Sequence, residues 1–128
     1  MPHHGVTVRE ATQDEHPTVM GVLDAAMLET DAGSVLERTP EDVLVAVEGG
    51  HVLGALVLDG DDVEAVAVRP RRRGQGIGTA LVEAAAERRG RLAAEFDDDL
   101  RPFYEGLGFS VEGAGDGRLR GVRPAARR

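Results

Sequence analysis

Residues 43 to 90 restrict the fold more than any other stretch of this chain. Val43 to Val47 and Val52 to Leu58 are almost unbroken apolar runs joined by Glu48-Gly49-Gly50-His51, and Val63 to Val68 follows after Asp59-Gly60-Asp61-Asp62. Strands covered on both faces read as continuous apolar runs, and a short glycine-bearing turn between two of them is a hairpin signal. The middle of the chain is therefore expected to be an antiparallel meander of central strands. The period then changes. After Arg69-Pro70 comes a glycine-rich stretch, and from Ile77 onward Ile77, Ala80, Leu81, Ala84 and Ala85 fall on one helical face that Gly90 ends. A strand thus feeds a glycine loop, which opens onto a helix.

The flanks add elements of the same kinds. Val6 to Glu10 alternates apolar with polar residues and predicts an edge-capable strand. Thr12 and Glu15 have the spacing of a capping box, and Val19, Val22, Leu23, Ala26 and Met27 recur at helical spacing behind them. Between Asp31 and Asp42, Gly33 and Pro40 leave room for one short helix around Ser34 to Arg38. Leu92 to Phe96 predicts a short strand. An Asp among residues 97 to 99 can cap a helix carrying Leu100, Phe103, Tyr104 and Leu107 on one side. A last hairpin is expected from Phe109–Glu112 to Arg118–Val122, with Pro124 to Arg128 as a loose tail. The order predicts an α+β fold with one mixed sheet rather than a doubly wound parallel one. A chain of 128 residues without repeats or a linker is expected to form a single domain over 1–128.

Composition narrows the chemistry. The absence of Cys excludes disulfides, a thiolate nucleophile and Cys-ligated metal. His3, His4, His16 and His51 have no ligand spacing, so no metal is expected, and no Gly-x-Ser-x-Gly elbow is present. All fifteen basic residues are Arg, and the formal net charge is −8, which argues against nonspecific nucleic-acid binding. Acid density of this kind suits a halophilic-like protein kept soluble in concentrated salt; a GC-rich genome also explains Arg over Lys. No apolar run reaches bilayer-spanning length and the N-terminus lacks signal-peptide regions, so a cytoplasmic location without membrane contact is expected.

The glycine loop, Arg71-Arg72-Arg73-Gly74-Gln75-Gly76-Ile77-Gly78-Thr79, carries the strongest functional signal. Glycines between a strand and a helix start let the backbone approach an anion, while free N–H groups and the helix dipole face it. A P-loop would need lysine, which this chain lacks, and a dinucleotide fingerprint starting at Gly74 would need glycine where Thr79 stands. The pattern Arg/Gln-x-x-Gly-x-Gly/Ala is satisfied by Arg73, Gly76 and Gly78. Further along, Pro102-Phe103-Tyr104-Glu105-Gly106-Leu107-Gly108-Phe109 matches Phe-Tyr-Glu-x-x-Gly-Phe. With these two motifs in this order, the chain resembles the GNAT superfamily of acyl-CoA-dependent N-acetyltransferases.

The resemblance implies a central, mostly antiparallel twisted sheet of six to seven strands with a parallel splayed pair, flanked by three to four helices. It implies acetyl-CoA as co-substrate and direct attack by an amine acceptor in a ternary complex, in a monomer or homodimer. Gly74, Gln75, Gly76, Ile77, Gly78 and Thr79 would hold the pyrophosphate with Arg73 adding charge, and the backbone of Val66, Ala67 and Val68 would line the pantetheine arm. Tyr104 is the candidate proton donor to the leaving sulfur and Glu64 the candidate base, with Asp62 and Asp97 as alternatives. A domain of the same fold that binds CoA or acyl-CoA as a regulatory ligand is the alternative to catalysis. The acceptor carries no recognisable motif.

Overall fold

The computed structural model describes residues 5–25 and 42–125. A seven-stranded sheet of order β1-β2-β3-β4-β5-β7-β6 forms its centre, built from β1 (Val6–Glu10), β2 (Val43–Glu48), β3 (His51–Asp59), β4 (Asp62–Val68), β5 (Leu92–Asp97), β6 (Ser110–Gly115) and β7 (Arg118–Arg123). Among the described residues three α-helices accompany it: α1 (His16–Ala25), α2 (Ile77–Arg89) and α3 (Arg101–Gly106). Every neighbouring pair of strands is antiparallel except β4 and β5. The expected mixed α+β sheet with one parallel pair is therefore what the chain forms. The short helix expected around Ser34 to Arg38 lies outside the described residues, as do Ala26 and Met27.

The meander forms because β2 and β3 are covered on both faces. Leu44, Leu56 and Leu58 join a cluster with Ile77, Leu81 and Ala85 of α2, whereas Val43, Val45, Val57 and Ala55 join another with Val19, Val22 and Leu23 of α1. That two-sided burial explains why the strands read as continuous apolar runs. Gly49 and Gly50 turn the first hairpin at φ 57° and 83°, a backbone that side chains with a Cβ rarely adopt. The α1 entrance is fixed as the sequence predicts: the Thr12 N–H donates to Glu15 Oε1 at 2.9 Å, and Arg9 holds the same carboxylate at 2.8 and 2.9 Å.

One departure from alternation positions the site. Val57 pairs with Ala65 but Leu58 pairs with Val63, so Glu64 is the extra residue of a β-bulge in β4. Parallel pairing with β5 is confined to Asp62↔Ala93 and Val63↔Ala94, immediately before that bulge. Beyond it β4 continues to Val68 with no partner on that side among the described residues, and the two parallel strands splay.

The start of α3 differs from expectation. Asp98–Leu100 form a turn of 3-10 helix ahead of α3, and no side-chain cap bond is made by Asp97. That carboxylate instead meets Arg118 across the strand pair at 2.9 Å, an ion pair that the register Asp97↔Arg118 makes available. As a result Leu100 sits before the helix rather than on its inner face and is 43% exposed.

Candidate active site

The gap beside β4 opens into a groove of ≈ 550 Å³. Its floor is Val66, Ala67 and Val68, one wall is the loop and first turn of α2 from Arg72 to Thr79, and the other is Leu100, Phe103 and Tyr104. Of the residues the two motifs single out, Val66, Ala67, Val68, Arg73, Gly74, Gly76, Ile77, Gly78, Thr79 and Tyr104 line this one groove. Gln75 lies in the same loop, its side-chain oxygen accepting a 2.8 Å bond from Arg72 Nε.

Backbone direction decides which strand amides are free. The Arg69 N–H donates to the Leu53 carbonyl at 2.8 Å. Amide groups alternate along an antiparallel strand, so Ala67 and Ala65 also turn theirs towards β3, while Val66 and Val68 turn theirs into the gap. The Val68 carbonyl accepts a 3.2 Å bond from Arg73 Nε, which agrees with that orientation. An extended polar chain laid in the groove can thus pair with Val66 and Val68 as a missing strand would.

The loop is shaped for an anion. Gly74 and Gly76 have φ of 77° and 80°, and Gly76 is the residue immediately before α2. Those conformations keep the chain close to the helix axis, with the first-turn N–H groups unpaired in the helix and turned outward. Gly78 has an ordinary φ, and a Cβ built there would sit 3.5 Å from Phe103 Cζ and 3.8 Å from Val68 Cγ2. Those are ordinary contacts, so protein packing does not demand glycine at this position. A side chain there would instead occupy the groove. Arg73 has no carboxylate partner among the described residues, leaving its charge available to a ligand.

Tyr104 lines the groove and is 3% exposed. Its ring stacks on Phe96 at a centroid separation of 4.2 Å and meets Phe103 and Phe109 edge-on at 5.0 and 5.1 Å. Its hydroxyl makes no hydrogen bond to protein among the described residues. Buried hydroxyls are normally satisfied, so one on a groove-lining residue without a protein partner is suited to a ligand. Desolvation pushes its pKa up to about 12, so the phenol is protonated at neutral pH and acts as a donor.

Glu64 is placed elsewhere. It lines a second groove of ≈ 250 Å³ with Asp59, Asp62, Glu95, Arg118 and Arg120. Phe96 packs with Tyr104 while Glu95 alternates to the opposite side, so this groove lies on the far face of the sheet. Arg120 bridges Asp62 at 3.4 Å and Glu95 at 3.6 Å. Tyr104 and Glu64 therefore occupy opposite faces of the same splay, with Glu64 at the bulge where the strands part. Sequence periodicity missed that bulge because a two-residue alternation broken by one inserted residue looks like a solvated strand acid. Among the described residues no group of three or more His, Cys, Asp or Glu could hold a metal ion, and no helix is long and apolar enough to cross a membrane.

A family model described as an acetyltransferase (GNAT) domain matches residues 39–111, more than half of the chain. The chain belongs to the GNAT acetyltransferase family. The donor of that family is acetyl-CoA, the co-substrate that the two motifs imply. Solved structures agree on the fold of this GNAT domain. N-acetylglutamate synthase from Neisseria gonorrhoeae, complexed with coenzyme A and N-acetyl-glutamate, superposes with a TM-score of 0.82 at 17% identity, covering 98% of this chain. The GNAT chain described here spans only 36% of that protein. Ard1 from Thermoplasma volcanium matches at 0.78 and 20% identity over 97% of this chain and 100% of its own. The ribosomal-protein-S18-alanine N-acetyltransferase of Escherichia coli matches at 0.78 and 18% identity, over 96% of each chain. Among curated proteins none matches the sequence significantly.

Proposed function

We propose that residues 1–128 form a single acetyltransferase domain that passes the acetyl group of acetyl-CoA directly to an amine, with Tyr104 at the sulfur. The observation that carries this reading is buried Tyr104, which lines the same groove as the glycine loop and whose hydroxyl has no protein partner among the described residues. The pyrophosphate of CoA suits the N–H groups of Gln75 to Thr79 and the charge of Arg73, which meets no carboxylate among the described residues. The pantetheine arm, which carries amides of its own, suits the free edge at Val66 and Val68. Laid in that direction, the thioester reaches the part of the splay beside Tyr104.

The chemistry follows from charge. A neutral amine attacks the thioester carbonyl; the C–N bond forms as the C–S bond breaks, negative charge develops on sulfur, and the amine gives up a proton that ends on the thiol. A phenol whose pKa is about 12 does not surrender its proton to a thiolate of pKa ~8.5, so Tyr104 supports the sulfur by hydrogen bonding while the charge builds. Glu64, at the far side of the splay, is the carboxylate proposed to take the amine proton, with Asp62 beside it; Asp97 is committed to Arg118. An acceptor entering from that face meets the thioester from the side opposite Tyr104.

The test is amine-dependent release of free CoA from acetyl-CoA by the wild-type chain, run alongside thermal melting with CoA. Turnover with a panel of amines, reduced by Glu64→Gln at neutral pH, supports the reading. A CoA-dependent rise in melting temperature without turnover for any amine makes the chain a CoA-binding module instead, and no rise at all removes the site.

A further inference from the structure

A second cleft, of ≈ 910 Å³, lies at the other side of the segment that links β4 to the glycine loop. Arg69, Arg71 and Arg72 enter it from that segment, and Thr18 and His51 face them from α1 and β3. Two of the arginines lack a counter-charge among the described residues. Arg72 is neutralised by Glu48 at 2.8 Å, and the one carboxylate in the cleft, Glu15, is held at two oxygens by Arg9. Arg69 makes a single bond through Nε to the Val52 carbonyl at 2.7 Å, which fixes its head without offsetting its charge. Arg71 makes no hydrogen bond or ion pair among the described residues. In a chain of net charge −8, two uncompensated guanidinium groups beside a hydroxyl are a local reversal of sign.

We infer that this cleft is a second anion site, taking the phosphoryl group on the 3′ position of the CoA ribose. The inference rests on the glycine loop holding the CoA pyrophosphate. A molecule laid along β4 with its thioester at the splay presents its nucleotide beyond Val68, where Arg69 to Arg72 stand. Arg72 lines both this cleft and the cofactor groove, so the two spaces meet at that segment. The 3′-phosphate is one sugar ring from the pyrophosphate and carries three acceptor oxygens, matching a fork of two arginines and a threonine hydroxyl. The acceptor is a poorer occupant. From Val63 to Val68 the strand spans ~17 Å, which puts the cleft at the wrong end of β4 for a group that reacts beside Tyr104.

The experiment compares CoA with 3′-dephospho-CoA by calorimetry, using the full chain. Wild type is expected to bind CoA about tenfold more tightly. Arg71→Gln, whose side chain has no bonds to lose, is expected to abolish that difference while leaving dephospho-CoA affinity unchanged, and Arg69→Gln to do likewise with some loss of stability. Arg88→Gln, outside both grooves, is expected to preserve the difference. Millimolar inorganic phosphate is expected to erase the preference in wild type if a free phosphoryl group can occupy the cleft. If it erases the preference no better than chloride of equal ionic strength, the cleft is not a phosphoryl site. Equal wild-type affinity for the two nucleotides overturns this inference and leaves the proposed function standing. Binding of neither nucleotide overturns both. Equal weakening of both nucleotides by Arg71→Gln shows a diffuse charge effect and also overturns the 3′ assignment.

Discussion

Replacing Tyr104 by Phe separates stability from turnover in a way that few single-atom changes can. The ring contacts survive, because Phe preserves the stack on Phe96 and both edge-on contacts at 5.0 and 5.1 Å. What disappears is a hydroxyl that is 3% exposed and has no protein partner among the described residues. A buried polar group left without a partner costs ~1–3 kcal/mol, and its position on the groove wall recovers part of that through solvent. Tyr104→Phe is therefore expected to leave the folded state as stable as wild type or more stable by up to ~1 kcal/mol, a rise of about 4 °C or less in Tm. Turnover should move the other way. Loss of one positioned donor to developing charge lowers kcat by about a hundredfold, or ~2.7 kcal/mol. The KM for acetyl-CoA should change little, since the bond strengthens only as the sulfur becomes anionic. Melting curves and steady-state release of CoA measure both. Because the phenol titrates at about 12, the variant should keep the wild-type shape of its pH–rate profile up to pH ~10. A drop in Tm of several degrees with unchanged kcat would refute the argument, because it would mean the hydroxyl stabilises the fold rather than serving a ligand.

Two further perturbations test other links. Gly54 of β3 lies under the start of α2, and a Cβ there would stand 2.9 Å from the Ala67 carbonyl oxygen and 3.2 Å from both Ile77 Cγ2 and Leu81 Cδ1. Gly54→Ala is expected to cost ~1–3 kcal/mol in urea unfolding and to weaken CoA binding, since both Ile77 and Ala67 line the groove. The Glu15 carboxyl is lowered to about 2, chiefly by its hydrogen bonds from Arg9. A depressed folded pKa contributes stability that is complete above the unfolded value of ~4.3 and lost as pH falls through about 2. With the Arg9 side chain 42% exposed, solvent screening limits the pair to ~1 kcal/mol. Wild type should therefore lose about that much more stability than Glu15→Gln between pH 5 and pH 2, as read by chemical denaturation.

The parts of this domain legible in the sequence are those set by local periodicity and by glycine. Continuous apolar runs revealed β2 and β3 because both faces of each are covered, and Gly90 marked the end of α2 because its φ of 78° excludes most side chains. The candidate cofactor groove was legible for a related reason: Arg73 to Thr79 is one contiguous segment, and its chemistry depends on the main chain, which glycine spacing reports directly. Tyr104 needed its motif, since burial in an aromatic cluster gives it the same local pattern as a core residue. The groove at Glu64 was harder to read because its charged residues come from β3, β4, β5 and β7, with no common spacing.

The bulge at Glu64 shows what such a reading loses. Regular alternation back from Val66 and Val68 would put Glu64 on their face, beside Tyr104. The insertion shifts the register by one, so that Val63 and Val66 both serve the α2 face although they lie three residues apart. Glu64 is freed from both hydrophobic faces at the point where β4 leaves β5. The bulge thus coincides with the end of the parallel pairing and with a carboxylate on the face opposite the cofactor groove. Under the proposed function an acid on the regular face of the strand would stand on the donor side, close to the glycine loop; displaced by the bulge, Glu64 lines the groove on the opposite face of the sheet instead.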